Sequence, residues 1–223
     1  MKRLAIAVTL LAALSTGAYA ASLANDRASN YGTTANWTNG SNLGTGFGAW
    51  TITDGDGGHY IGGTGLGTQT FGLFNTFNTT TTDAVRPFIS IFSPGQTFSI
   101  NLGFTPFANG SVGLNLRSGT NDVLTLFTNG TGDWQLNDGG SNFSAGAAAT
   151  PNTAFSFSFT YNGGNSYSFT LTGSPGGANF TSSNPLLGSI DNVRLFDFNQ
   201  GAGQNFGFDN LAIVPEPSSL ALL

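Results

Sequence analysis

Across much of the chain, apolar and polar residues alternate one for one. Phe98, Ile100, Leu102 and Phe104 alternate with Thr97, Ser99, Asn101 and Gly103. Val112, Leu114 and Leu116 are spaced by Gly113 and Asn115, and Phe155, Phe157, Phe159 and Tyr161 by Ser156, Ser158 and Thr160. Tyr167, Phe169 and Leu171 are spaced by Ser168 and Thr170. A period of two with one apolar face predicts antiparallel strands buried on one side. Further strands are predicted over 49–53, 59–62, 70–74, 84–91, 122–128, 133–137, 189–198 and 204–213. Asn129-Gly130, Asp138-Gly139 and Asn162-Gly163 fall between such runs and predict tight turns that need φ > 0. No window of about a dozen residues between 21 and 213 has a helical period.

Many short strands divided by turn signals predict an all-β fold. The expected form is an antiparallel β-sandwich of the jelly-roll, concanavalin/laminin-G type. Its inner faces would be filled mainly by phenylalanine, a large apolar side chain with no polar atom to satisfy. Its outer faces would carry Ser, Thr and Asn. Residues 21–48 are rich in Asn, Gly, Ser and Thr with few apolar anchors, and read as a long lead-in loop. The sandwich domain is then expected over 49–213, with Phe47 and Trp50 opening its first firm strand. Ile190-Asp191-Asn192-Val193 and Phe208-Asp209-Asn210-Leu211 echo one another and read as two similar strand environments.

The two ends differ from the body. Lys2 and Arg3 precede the apolar run Leu4–Leu14, and Ala18-Tyr19-Ala20 offers small residues at −3 and −1. Residues 1–20 therefore read as a secretory signal peptide cut after Ala20 by a signal peptidase. At the other end, Val214-Pro215-Glu216-Pro217-Ser218 leads into Ser219-Leu220-Ala221-Leu222-Leu223. Two prolines two apart exclude helix and central strand and stiffen an extended linker.

Residues 214–223 resemble the sorting signal of PEP-CTERM proteins, the exosortase substrates. Pro215, Glu216 and Pro217 match the family's Pro-Glu-Pro. Ser218–Leu223 match the start of its apolar stretch, although the bilayer-length span of about 20 residues and the Arg-rich tail are missing. The resemblance implies export by a Gram-negative-type bacterium and only transient contact with the membrane. It also implies processing by exosortase-type machinery and a final place at the cell surface or in an extracellular polysaccharide matrix.

Charge then narrows the chemistry. The chain has 6 Lys+Arg against 11 Asp+Glu, which argues against a nucleic-acid partner. Removal of residues 1–20 would leave four arginines and no lysine, with a formal charge of about −7. Cysteine is absent, so disulfides, zinc clusters and thiol nucleophiles are excluded. The only glutamate is Glu216, in the sorting motif, so a glutamate pair for glycoside hydrolysis is missing. His59 is the only histidine, and no Gly-x-Ser-x-Gly elbow accompanies it. It reads as a satisfied strand-start histidine, and the expectation is a non-enzymatic protein.

Two binding sites are candidates. Asp54-Gly55-Asp56-Gly57-Gly58 places two carboxylates two apart; with Asp209 they form a candidate calcium site, the alternative being a solvated Asp-Gly turn. No other cofactor is expected. Trp134, Trp50 and Tyr60, with Trp37, are candidates to stack on sugar rings, the alternative being core or rim positions. Arg86, Arg117 and Arg194 are expected either to pair with aspartates across strands or to touch ligand. Two functions stay open: a secreted surface or matrix protein, and a carbohydrate-binding module for exopolysaccharide.

Overall fold

The computed structural model describes residues 22–64, 66–76, 80–139, 142–173, 177–181 (as backbone), 189–198, 201 and 204–215. The expected signal peptide, Ala20 included, and Glu216 and Pro217 lie outside them; Pro215 is the last residue described. The strands are β1 (Ala24–Asp26), β2 (Thr51–Thr53), β3 (Gly57–Gly62), β4 (Thr70–Asn75), β5 (Thr81–Pro87), β6 (Thr97–Phe104), β7 (Ser111–Ser118) and β8 (Asn121–Thr128). They continue as β9 (Asp133–Asn137), β10 (Asn142–Ala148), β11 (Phe155–Gly163), β12 (Ser166–Thr172), β13 (Gly177–Thr181), β14 (Asn192–Phe198) and β15 (Asn205–Val214).

Two antiparallel sheets form a sandwich of the jelly-roll type. One runs β13-β12-β11-β6-β15-β4-β3, with β1 also paired to β15; the other runs β10-β9-β8-β7-β14-β5-β2. The alternation decides which side chains meet between them. Phe98, Ile100, Leu102, Phe104, Phe155, Phe157 and Phe159 from the first sheet are buried with Val112, Leu114, Leu116, Leu124 and Leu126 from the second. Burial of such side chains contributes about 1.5–3 kcal/mol each, enough to hold the fold without disulfides.

The predicted turns form at Gly130, Gly139 and Gly163, each at φ between 80° and 98°. β15 holds an irregularity that alternation alone does not reveal. Its register shifts between Asp209 and Ala212, with Asn210 at φ 55°. The extra residue is a β-bulge, which lets Phe206 and Phe208 and then Leu211 and Ile213 all face inward. The echoing Asp191-Asn192 step instead sits at the entrance to β14, so the two environments differ.

Within the expected lead-in loop over 21–48, the described residues 22–48 are built into the fold. Ala24–Asp26 pair with Leu211–Ile213 of β15, and Ala28, Tyr31, Trp37 and Phe47 are buried. Low apolar content hid this, because one strand and two 3-10 turns, Ala28–Asn30 and Thr34–Asn36, need few anchors when each is large and fully used. Three further departures have local causes. The strand expected over 84–91 runs from Thr81 to Pro87, and Phe88 beyond it makes only an isolated bridge, to Phe47. Within it Val85 faces outward and Arg86 inward, the reverse of what hydropathy suggests. β10 escaped prediction because its buried residues, Ala145 and Ala147, contrast little with their neighbours.

Candidate functional site

The aromatic candidates separate at once. Trp134, Trp50 and Trp37 are all buried, so none offers a ring face to a sugar. Trp134 lies edge-on between Phe104 and Phe155, at centroid distances of 5.8 and 5.5 Å. Trp50 and Trp37 pack on each other and on Phe71 and Phe208. A buried tryptophan removes a large apolar area from water, and these three are used for that, Trp134 from β9 and Trp37 and Trp50 from outside the strands. Tyr60 alone is partly open, on the outer face of β3, 6.2 Å from Phe74. Burial pushes its hydroxyl up to about 12, with the Asp197 charge adding to the effect.

The carboxylates proposed for calcium are not brought together. Asp54 accepts from His59 Nδ1 at 2.6 Å. Asp56 accepts from the Thr80 hydroxyl at 3.1 Å. Asp209 lies in β15 and accepts from the Ala28 N–H at 2.8 Å, while burial raises its pKa. Among the described residues no group of three or more His, Asp or Glu side chains could hold a metal ion. His59 sits in β3, where its ring meets Trp37 edge-on at 5.3 Å and Asp54 orients it. Among the described residues no hydroxyl is hydrogen-bonded to its other ring nitrogen.

Each arginine candidate finds an aspartate. Arg117 pairs with Asp122 on the neighbouring strand, and Arg194 with Asp83, both at 2.6 Å. Arg86 instead spans the two layers to reach Asp26 of β1 at 2.8 Å. Tyr31 Oη and Trp50 Nε1 also donate to Asp26, each at 3.1 Å, and Arg86 donates to the Gly48 carbonyl. Burial still raises the Asp26 pKa against the pull of Arg86, and lowers that of Arg86. Nothing in the sequence pattern around Asp26 announces this network.

One carboxylate has no such partners. Asp197 follows Val193 and Leu195 on the inner face of β14, opposite Thr82 and Val112. It is fully buried, and neither oxygen meets a hydrogen-bond donor among the described residues. Burial pushes its pKa up to about 8.

The outer face of the eight-stranded sheet carries an ordered array of polar side chains. Cross-strand pairing sets out three rows: Asn101, Ser156 and Thr172; Ser99, Ser158 and Thr170; Thr97, Thr160 and Ser168. The hydroxyls of Thr97 and Thr160 bond at 2.7 Å, and Ser156 donates to Asn101 at 2.8 Å. None of these side chains is charged. Toward β3 the rows give way to a glycine track, Gly103, Gly207 and Gly72, ending at Tyr60. The Tyr60 ring covers Gly72, while Thr64 and Leu66 reach over Gly207 and Gly103. A Cβ on Gly207 would lie within 1.8 Å of Thr64 Oγ1, so the absence of side chains is what admits the cover.

No protein-family model matches the chain, and no curated protein matches it in sequence. Solved structures share the fold. A sialidase matches at TM-score 0.65 and 11% identity over 87% of this chain. The chain spans 19% of that sialidase's length. A carbohydrate esterase of Shiga toxin-encoding bacteriophage phi24B matches at TM-score 0.58 and 13% identity, covering 89% of this chain and 100% of that one. The binding domain of botulinum neurotoxin serotype D matches at TM-score 0.51 and 12% identity, covering 76% of this chain and 44% of the other. At these identities the likeness is one of fold.

Proposed function

We propose that this is a secreted, non-enzymatic surface or matrix protein that holds neutral polysaccharide across the outer face of its eight-stranded sheet. The observation that carries the reading is the three-row array of Ser, Thr and Asn with no charge in it. Hydroxyl and amide groups can exchange hydrogen bonds among themselves for bonds to sugar hydroxyls at little net cost. An acidic chain whose three rows carry no charge, with the Asp209 carboxylate beside Asn101 at their edge, suits an uncharged glycan better than an anionic one. Export and sorting follow from the signal-peptide pattern and the PEP-CTERM-like motif, with signal peptidase and an exosortase as processing partners. Two of the proteins that share the fold are a sialidase and a carbohydrate esterase.

The test is retention on an insoluble neutral glucan, compared with Ser158→Glu and Thr170→Glu. Both positions lie at the centre of the array, with side chains on its outer face. Retention of the wild type and its loss in both variants is the expected result. No retention of the wild type, or equal retention of all three, would overturn the reading.

A further inference from the structure

Among the described residues five large apolar side chains are exposed, Leu43 and Phe198 besides Leu23, Ile89 and Ile91. Leu23 is 50% exposed, Ile89 70% and Ile91 61%, in a molecule whose other surfaces are mainly Ser, Thr, Asn and Gly. Leu23 and Ile89 line a cleft of about 270 Å³ together with Phe88, Gln96 and Ile213, and Ile91 stands two residues further along the same loop. No residue lining the cleft is charged.

The display is held in place. The loop between β5 and β6 is anchored by buried Phe88 and Phe92. The Phe88 N–H donates to the Asp191 carbonyl at 2.7 Å and the Phe92 N–H to the Ile190 carbonyl at 2.9 Å. Ile89 itself donates to the Gly46 carbonyl at 3.3 Å. Between two such anchors, Ile89 and Ile91 are turned outward by a fixed backbone. Both ends of the folded body leave at the same place: the Leu23 N–H donates to the Ile213 carbonyl at 2.8 Å. The apolar residues Leu220–Leu223 follow this point in the sequence.

We propose that the Leu23–Ile89–Ile91 face docks on a lipid surface. Three aliphatic side chains offer on the order of a few hundred Å², well short of the roughly 800 Å² per partner of a stable dimer. Shallow insertion into an interface requires no such area, only apolar tips with no charge to desolvate. The C-terminal run Leu220–Leu223 continues from this end of the body, so its contact with a bilayer during export would favour contact by this face. The acidic chain would favour a zwitterionic surface over an anionic one. The inference is independent of the polysaccharide reading, which concerns another face.

The experiment is flotation of the full chain with phosphatidylcholine vesicles, beside the double variant Ile89→Ser, Ile91→Ser. Both proteins have identical termini, so the difference reads the loop. The expected result is at least a fivefold fall in the bound fraction with an unchanged Tm. Equal flotation would overturn the proposal. Should the double variant fail to fold, Ile89→Trp supplies a second reading. Its added fluorescence should be quenched by brominated phosphatidylcholine, and absence of quenching would also overturn it. So would sedimentation showing a wild-type dimer that the double variant loses, since a second copy would then be the occupant.

Discussion

Arg86 of β5 meets Asp26 of β1 at 2.8 Å with neither side chain reached by solvent. The two strands belong to different sheets, so this ion pair ties the layers together. Arg86 also lies over the Trp50 ring, 4.9 Å from its centroid. Removing one partner leaves a buried charge, which costs about 3–5 kcal/mol. Asp26→Asn and Arg86→Met should each lower the unfolding free energy by that order in urea. The double variant Asp26→Leu, Arg86→Met should cost less than the sum, because no charge is stranded.

Asp197 gives the fold a pH dependence of known sign. Its pKa rises from 3.8 in the unfolded chain to about 8 in the folded one. The folded state therefore holds the proton more tightly, and this stabilisation is complete below pH 3.8. It is lost as pH rises through 8, at up to about 1.4 kcal/mol per pH unit. Urea unfolding at pH 5, 6.5 and 8 should show stability falling in the wild type. The slope should be much smaller in Asp197→Asn, which cannot ionise.

Trp134 separates core packing from sugar contact. Its Nε1 has no hydrogen-bond partner among the described residues, so the ring contributes chiefly apolar bulk. Trp134→Ala should cost about 3–5 kcal/mol by opening a cavity. Trp134→Phe should cost clearly less, since it keeps an aromatic ring and removes an unpaired N–H. Thermal melts check both, and glucan retention of folded Trp134→Phe should match the wild type.

Gly207 and Thr64 form a coupled pair. An alanine at 207 would drive its Cβ into the Thr64 hydroxyl, so Gly207→Ala should displace the cover over the glycine track and lower Tm. Adding Thr64→Gly should restore part of the loss. A double-mutant cycle measures that coupling, expected at about 0.5–3 kcal/mol.

Period-two alternation and Asn-Gly or Asp-Gly steps were sufficient to read the sandwich, because each strand must turn one face to the core whatever its partners. The same rule hid the exceptions. Arg86 and Asp197 occupy inward positions of β5 and β14 by register, and hydropathy cannot foresee a charge placed there. The first strand was missed because Ala24 and Asp26 carry no apolar signal; their places come from β15 alongside. Tyr60 was the one sugar-stacking candidate to keep an open ring, since a sequence does not say which side of a sheet a tryptophan faces.

Sequence alone determined the fold class, the phenylalanine core, the three predicted turns and the absence of thiol and glutamate-pair chemistry, all of which follow from local spacing and residue type. Tertiary structure alone decided that the tryptophans are core, that the three candidate calcium ligands stand apart, and that Asp26 and Arg86 meet inside the sandwich. It also decided that Leu23 and Ile89 meet at one cleft. Those relationships join residues far apart in the chain, and register and sheet packing set them rather than neighbours in sequence.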